Sequence, residues 1–125
     1  MANPQCEKGF IRISNELLNA TIIRGFSKRQ IVIILFIWRL SYGFNSKETK
    51  PLKFSDFTVC GVGKGHIKKE LEELERINVL IWNRELKIFS INKDFDTWLL
   101  KQEPSRGDNL KKLIKQQLNK SGRYQ

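Results

Sequence analysis

Residues 54–91 read FSDFTVCGVGKGHIKKELEELERINVLIWNRELKIFSI. The first seven positions suit a short helix capped by Ser55, with Phe57 and Val59 facing inward. A glycine-rich turn, GVGKG, follows directly. A second and longer helix is then predicted from about Lys64 to Asn78, so the stretch begins with two helices joined by a tight turn.

The longer helix is predicted to have one apolar stripe and one polar face. Ile67, Leu71 and Leu74 fall at i, i+4 and i+7, which places them on one side of a helix. Two strand-like runs follow, Val79–Trp82 and Leu86–Ile91, with a polar tip between them. This order predicts an α+β, mostly helical fold, namely a winged helix-turn-helix with a β-hairpin wing. In that fold the start of the second helix meets base edges in a DNA major groove.

A first helix is predicted before this unit. Ser14 or Asn15 can act as its N-terminal cap, and it runs to about Arg24. Its expected core positions are Leu17, Leu18, Ile22 and Ile23.

A second helix follows, with Ser27 as its cap and its end near Tyr42. It is apolar on nearly every side, which is typical of a buried central helix. A polar loop leads from it to residues 52–54, which can form a short additional strand. After the hairpin, a short helix is predicted over residues 94–100.

The composition changes after residue 101, and two units are therefore predicted, a winged-helix domain over 1–101 and a basic linker with an amphipathic tail over 102–125. Pro104, Ser105 and Gly107 indicate the linker, and Asp108 can cap the tail helix. The last five residues are expected to be disordered. The tail could bind a partner or dimerise, pack on the domain, or lie along DNA. Its apolar face is formed by Leu110, Leu113, Ile114 and Leu118.

The chain carries a net charge of +10, which favours polyanionic partners, either nucleic acid or an anionic membrane surface. Residues 51–100 contain eight basic and eight acidic side chains, so the excess lies on the two flanks, where it can serve phosphates. The apolar run Ile31–Trp38 is far shorter than the roughly 20 residues of a membrane span. The polar N-terminus predicts no signal peptide, and a cytosolic protein is expected.

Candidate DNA contacts lie at the start of the longer helix, at the wing and at the start of the second helix. Gly65 would let the backbone approach DNA closely. The wing residues could reach a phosphate or the minor groove, and a helix N-terminus favours a phosphate. The candidate DNA-binding residues are Lys64, Gly65, His66, Lys68, Lys69, Arg76, Arg84, Lys87, Lys28 and Arg29.

The longer helix is also acidic in its second half. Lys68–Glu72, Lys69–Glu73 and Glu72–Arg76 stand at i,i+4 spacing and are expected to pair. These charges could simply form a solvated helix face. Alternatively, Glu72 could accept a hydrogen bond from a cytosine amino group.

No metal site, cofactor or catalytic group is expected. Cys6 and Cys60 lie far apart, and His66 is the only histidine. The sequence therefore indicates neither a zinc site nor a catalytic nucleophile with a neighbouring base. The GKG at 63–65 does not match a nucleotide-binding loop, because Thr58 stands where the first glycine belongs and Gly65 where Ser or Thr belongs. The sequence therefore predicts a binding module and not an enzyme.

Two blocks before residue 51 are distinctive. The first contains NPQ at 3–5, GFIRI at 9–13 and NELL at 15–18, and the second contains FSKRQ at 26–30 and RLSYGFN at 39–45. These blocks resemble the bacteriophage replication protein O family, and the resemblance covers about residues 3–98. The later segment with GHI at 65–67 and ELEEL at 70–74 is similar too. Gly63 departs from the Ser or Thr that the family usually has at this helix start.

The resemblance implies a replisome organiser of the host bacterial cytoplasm, whose N-terminal winged helix binds repeated double-stranded sites in a phage origin. It implies that Lys64, His66, Lys68 and Lys69 face that DNA. A separate C-terminal part of such proteins recruits the host or phage helicase or its loader, and this chain is shorter than a full organiser. The expected state is a monomer or a DNA-assembled oligomer.

Two other functions fit the same pattern of residues. A winged-helix transcription regulator would bind an operator and use the tail to dimerise. A winged helix that contacts only other proteins would not bind DNA at all.

Overall fold

The computed structural model of the chain describes residues 1–100 and 103–121, with side chains up to residue 119. Within these ranges the class is α+β and mostly helical, as predicted, with one two-stranded antiparallel sheet. The winged helix-turn-helix assignment stays a prediction. The α-helices are α1 (Asn15–Ile23), α2 (Lys28–Leu40), α3 (Lys64–Arg76) and α4 (Pro104–Ser121). The strands are β1 (Leu80–Asn83) and β2 (Ile88–Ile91), and 3-10 helices span Cys6–Lys8, Tyr42–Phe44, Phe54–Cys60 and Phe95–Thr97.

Helix α2 begins at the predicted cap and ends two residues before the predicted end. The Ser27 hydroxyl accepts a hydrogen bond from the Gln30 backbone at 3.2 Å, and the Gln30 side chain accepts one from the Ser27 backbone at 2.9 Å. The expectation that α2 is buried all round is wrong, since Leu35 and Val32 are exposed. The short helix, α3 and β2 cover one side of α2 only. That side carries Ile33, Ile34, Ile37 and Trp38.

Helix α1 is capped by Ser14, as predicted, but it buries a different face from the expected one. Leu17, Ala20 and Thr21 are buried, whereas Leu18 and Ile22 are exposed. The hydroxyl of Thr21 donates to the Leu17 carbonyl, so this polar side chain enters the core with its hydrogen bond satisfied. Apolar content alone therefore misplaced the buried face by about one position.

Arg24, just after α1, attaches this helix to the segment that follows the hairpin. Its guanidinium donates to the carbonyls of Leu100 and Phe95 at 3.2 and 3.3 Å. It also lies over the Trp98 ring, 5.8 Å from its centroid. These contacts bring residues 95–100 against the end of α1.

Phe57 joins the short helix Phe54–Cys60 to the rest of the core. Its ring is fully buried and makes edge-to-face contacts with Phe36 of α2 and Phe89 of β2, at centroid distances of 5.2 and 5.1 Å. Val59 was expected to face inward, and this is wrong, because it is 75% exposed. The helix is 3-10, so the residues that share a face with Phe57 are three positions away, and position 59 points outward.

The predicted cap of the short helix, Ser55, is also wrong. The capping position is Lys53, whose backbone N–H donates to the Asp56 carboxylate at 2.8 Å. This contact is the half of a capping box in which a side chain three residues into the helix accepts from the backbone N–H of the capping residue. The capping position thus lies two residues earlier than expected.

The predicted strand over residues 52–54 is absent from the described sheet, although the chain just before it runs beside β2. The backbone N–H groups of Thr49 and Leu52 donate to the carbonyls of Phe89 and Lys87, each at 2.9 Å. Pro51 lies between them and has no N–H to donate, which interrupts a regular ladder. The segment 49–52 therefore flanks β2 on the side away from β1 without forming a strand.

The hairpin follows α3 as predicted, but its turn begins one residue later and ends two residues later than expected. Leu80 pairs with Ile91 and Asn83 pairs with Ile88, which leaves residues 84–87 as the turn. Lys87 has a φ of 57°, in the left-handed region. The Asn83 side chain accepts a hydrogen bond from the Leu86 backbone and closes the turn.

The predicted linker at residues 104–107 is wrong, because α4 already begins at Pro104 and not after Asp108. Proline is well suited to the first helical position, where a missing N–H costs nothing. Helix α4 packs against α1, which agrees with one of the three expectations for the tail, namely that it packs on the domain.

Residues 101–102 and 122–125 lie outside the described residues, including nearly all of the predicted disordered end. The division into two units at residue 101 stays a prediction.

Replacing Ser27 by Ala should lower the free energy of unfolding by about 1 kcal/mol, because it removes the α2 capping box. Ser55→Ala is the matched control, since the exposed Ser55 hydroxyl makes no hydrogen bond within the described residues. It should change stability by less than about 0.5 kcal/mol. Urea denaturation followed by circular dichroism measures both. Equal losses for the two variants would contradict the assignment of the caps.

Candidate nucleic-acid interface

The outward face of α3 is exposed and is basic in its first two turns. Ile67, Leu71 and Leu74 form the predicted stripe and are fully buried, which fixes the rotation of the helix about its axis. The residues at the start of α3 that were predicted to contact DNA are therefore turned to solvent. They are Lys64, Gly65, His66, Lys68 and Lys69.

Two glycines shape the start of this face. Gly61 closes the short helix with a φ of 78°, and its N–H donates to the Thr58 carbonyl at 3.0 Å. Only glycine adopts this conformation without strain. Gly65 has an ordinary helical conformation, and a side chain there would meet no atom within 4 Å. It leaves the outward face of α3 open down to the backbone.

The three candidate arginines are each paired with a glutamate of α3. Arg84 of the wing contacts Glu75 at 2.7 Å, and Arg29 of α2 contacts Glu70 at 3.5 Å. Arg76 binds Glu73 with two hydrogen bonds, one of them from Nε at 2.9 Å. That bonding lowers the pKa of the Glu73 carboxyl below its ordinary value.

The three expected i,i+4 pairs are absent from α3, and the expectation is wrong. Arg76 prefers Glu73, three positions earlier, because the planar guanidinium can engage both carboxylate oxygens there. Lys68 and Lys69 form no ion pair with any described residue. The lysines, and not the arginines, are thus the cations of α3 that are available to a ligand.

A groove lies between α3, the start of the short helix and the hairpin; we call it the wing groove. It has a volume of about 300 Å³ and is rimmed by the cations Lys53, Lys68, Arg84 and Lys87, with no carboxylate in its lining. Aromatic and apolar side chains form the rest of the lining. They are Leu52, Phe54, Trp82 and Phe89.

Arg84 is held in the wing groove in two ways. Its guanidinium lies 3.8 Å from the centroid of the Trp82 ring while it binds Glu75. The Trp82 ring stacks on Phe89 at 5.5 Å. The hairpin is therefore attached to α3 through a side chain that was expected to extend from the wing tip.

The structure places the predicted residues on α3 and on the two elements that flank it, the start of α2 and the hairpin. Lys68, Arg84 and Lys87 meet in the wing groove, next to the exposed start of α3. Lys28 and Arg29 begin α2, and the Arg29–Glu70 pair places them beside α3. Sequence analysis missed Lys53, because it assigned this residue to a strand. The available signal was its position next to Phe54, since aromatic and basic neighbours are typical of nucleic-acid surfaces.

Other kinds of site have less support in the described residues. No group of three or more His, Cys, Asp or Glu side chains is placed there to hold a metal ion. Burial raises the pKa of the Cys60 thiol, which keeps it in its unreactive protonated form. Among the described helices, none combines the length and the apolar character needed to cross a membrane.

Comparison with known proteins identifies one family. The family model described as Bacteriophage replication protein O matches residues 3–98. The chain is 27% identical over 99 residues to the DNA replication protein gp18 of Salmonella phage P22, covering 78% of this chain and 35% of that protein. It is 29% identical over 102 residues to Replication protein O of Escherichia phage lambda, covering 80% and 29%. The chain thus spans about a third of the length of these relatives. No solved structure matches it.

Gly65→Ala should raise the free energy of unfolding by up to about 1 kcal/mol, because alanine is the better helix former and the space beside Gly65 is open. Gly61→Ala should lower it by about 1–2 kcal/mol, because a side chain is strained at a φ of 78°. Thermal denaturation of both variants checks this contrast. A destabilised Gly65→Ala protein would show that the face is not open.

Proposed function

The chain belongs to the bacteriophage replication protein O family, and from this premise we propose that it is a sequence-specific, double-stranded DNA-binding domain of a phage replication initiator. It binds repeated sites in the replication origin and works in the host bacterial cytoplasm. The observation that carries the proposal is the exposed, lysine-rich start of α3 beside the basic wing groove.

The arrangement of elements supports a winged helix-turn-helix. The short helix, the turn at Gly61, α3 and the hairpin follow one another in the order of that fold. The segment 49–52 lies beside β2, where a third strand would complete the wing sheet. In such domains the second helix of the pair enters the major groove with its first turns toward the bases.

The charges divide into two roles in this proposal. Lys64, His66, Lys68 and Lys69 meet the edges of the major groove, and Gly65 lets the backbone come close. Lys53 and Lys87 of the wing groove, with Lys28 at the start of α2, contact phosphates. Phosphate contacts supply most of the affinity, whereas base contacts supply the selectivity.

The arginines contribute differently. Arg29, Arg76 and Arg84 must exchange a glutamate for a phosphate before they can bind DNA. Each exchange replaces one ion pair by another, so these residues add less net affinity than unpaired lysines. They adjust the affinity and do not dominate it.

Recruitment of a helicase or its loader is proposed for a C-terminal region or for the tail. This chain covers 35% and 29% of the two relatives, so the activity of a whole initiator would require more sequence than these residues. The domain binds as a monomer or as an oligomer assembled on DNA. No catalytic role is proposed.

A second candidate is a winged-helix transcription regulator that binds an operator. The exposed Leu113 and Ile114 on α4 favour it, since an apolar surface on a terminal helix suits dimerisation. The third candidate is a winged helix that contacts only proteins.

Selection of bound duplexes from a random pool tests the function. We expect one motif, present as regularly spaced direct repeats in the origin of the source genome. The affinity of the chain for this motif should fall steeply as the salt concentration rises. The slope of log K against log salt should be roughly −3 to −5 if three to five phosphates are neutralised.

The other candidates give different results in the same experiment. A single palindrome upstream of a promoter would favour the regulator. Absence of any retained duplex at physiological salt would favour the protein-only module. A flat salt plot would contradict the phosphate contacts even if a motif were found.

Lys69→Ala should weaken binding to the selected motif by roughly tenfold, because a lysine at a base edge contributes on the order of 1–3 kcal/mol of discrimination. Lys112→Ala, on the exposed side of α4, removes the same charge and should have a smaller effect. Fluorescence anisotropy on the motif and on a random duplex measures both. If Lys69→Ala reduces the affinity for the motif and the affinity for the random duplex by the same factor, Lys69 contacts phosphate only.

A further inference from the structure

The glutamates of α3 are not equivalent. Glu70, Glu73 and Glu75 are each bound by an arginine, from α2, from α3 itself and from the wing. Glu72 has no hydrogen bond or ion pair with any residue in the described ranges, and its side chain is exposed. It is the α3 carboxylate that the fold leaves without a partner there.

Neighbouring cations could have neutralised Glu72 but do not. Lys68 lies one turn before it and Arg76 one turn after it, both at the i,i+4 spacing that permits pairing. Arg76 instead binds Glu73, and Lys68 lines the wing groove. At 100° per residue, Glu72 projects from the outward side of α3 together with Gly65 and Lys69.

An unpaired carboxylate on a surface that meets DNA is unfavourable unless a donor meets it. Phosphates repel it, and a carboxylate has only acceptor oxygens. The donors that the major groove presents are the amino groups of cytosine and adenine. Adenine places its N7 acceptor beside the amino group and so repels one carboxylate oxygen, whereas cytosine presents the amino donor alone.

We propose that Glu72 is a specificity-determining residue that accepts a hydrogen bond from the amino group of a cytosine in the bound duplex. The inference rests on the proposed function, since it requires α3 to enter the major groove. It assigns Glu72 a share of base selection, which the basic residues alone do not provide. The same carboxylate lowers affinity for every duplex that lacks the cytosine.

The test is duplex selection from a random pool with the full chain, its Glu72→Gln variant and a Glu85→Gln control. Glu85 is exposed in the hairpin turn and makes no hydrogen bond or ion pair within the described part of the chain, so both substitutions remove one unpaired negative charge. Each variant should bind random duplex more tightly by a similar factor, because both reduce repulsion from phosphates.

Only Glu72→Gln should change the selected motif. We expect it to lose about tenfold of the preference for cytosine at one position and to gain preference for adenine there, since glutamine binds the adenine N6 and N7 edge in a bidentate manner. Replacing that cytosine by pyrimidin-2-one, which lacks the amino group, should weaken DNA binding by the unmodified chain more than binding by the Glu72→Gln variant, because the neutral glutamine oxygen is the weaker acceptor. Because Glu72 is exposed and makes no hydrogen bond or ion pair with any described residue, its variant should keep the thermal midpoint of the parent chain.

The outcomes separate the two proposals. If the unmodified chain selects a motif and Glu72→Gln selects the same one with the same preferences, this inference is overturned and the proposed function stands. If both variants only tighten binding to all duplexes equally, Glu72 acts through its charge alone, which also overturns the inference. If the unmodified chain selects no motif, the proposed function and this inference fail together.

Discussion

Burial of Phe57 between two other aromatic rings is the contact on which the arrangement of the domain depends. The short helix Phe54–Cys60 is held against the core by this side chain, through its contacts with Phe36 and Phe89. Because the short helix leads directly into the turn and α3, the same contact sets where α3 begins. Loss of the ring would remove this contact at the start of α3 and leave α3 attached through its own apolar stripe and its ion pairs with α2 and the hairpin.

Ion pairs then fix the orientation of α3 relative to α2 and the hairpin, which the core has brought together. The Arg29–Glu70 contact ties one side of α3 to α2, and the Arg84–Glu75 contact ties the other side to the hairpin. Both are partly exposed, so each contributes little to stability, and their main effect is geometric. They leave the lysines at the start of α3 uncompensated, which concentrates the positive potential where the helix is most open.

The sequence predicted the features that depend on local patterns. The caps Ser14 and Ser27, the stripe of α3 and the hairpin are each set by spacing within a few residues, and they were confirmed. Two of the errors involve choices that depend on distant contacts. The buried face of α1 depends on α4 and on the segment held by Arg24, and the 3-10 winding that exposes Val59 depends on how Phe57 packs. At the site, the lysine-rich face could be predicted from the sequence. The pairing of Arg76 with Glu73 and not with Glu72 could not be predicted, because a helix allows both the i,i+3 and the i,i+4 spacing.

The placement of Trp82 has a spectroscopic consequence. Trp38 and Trp98 are 1% and 5% exposed, whereas Trp82 is only partly buried and lies under the guanidinium of Arg84. A cation on the ring perturbs the excited state of indole, and two shielded tryptophans provide a constant background. Any event that draws Arg84 away from Trp82 thus alters the emission of one identifiable fluorophore, so the molecule contains its own optical reporter of the wing.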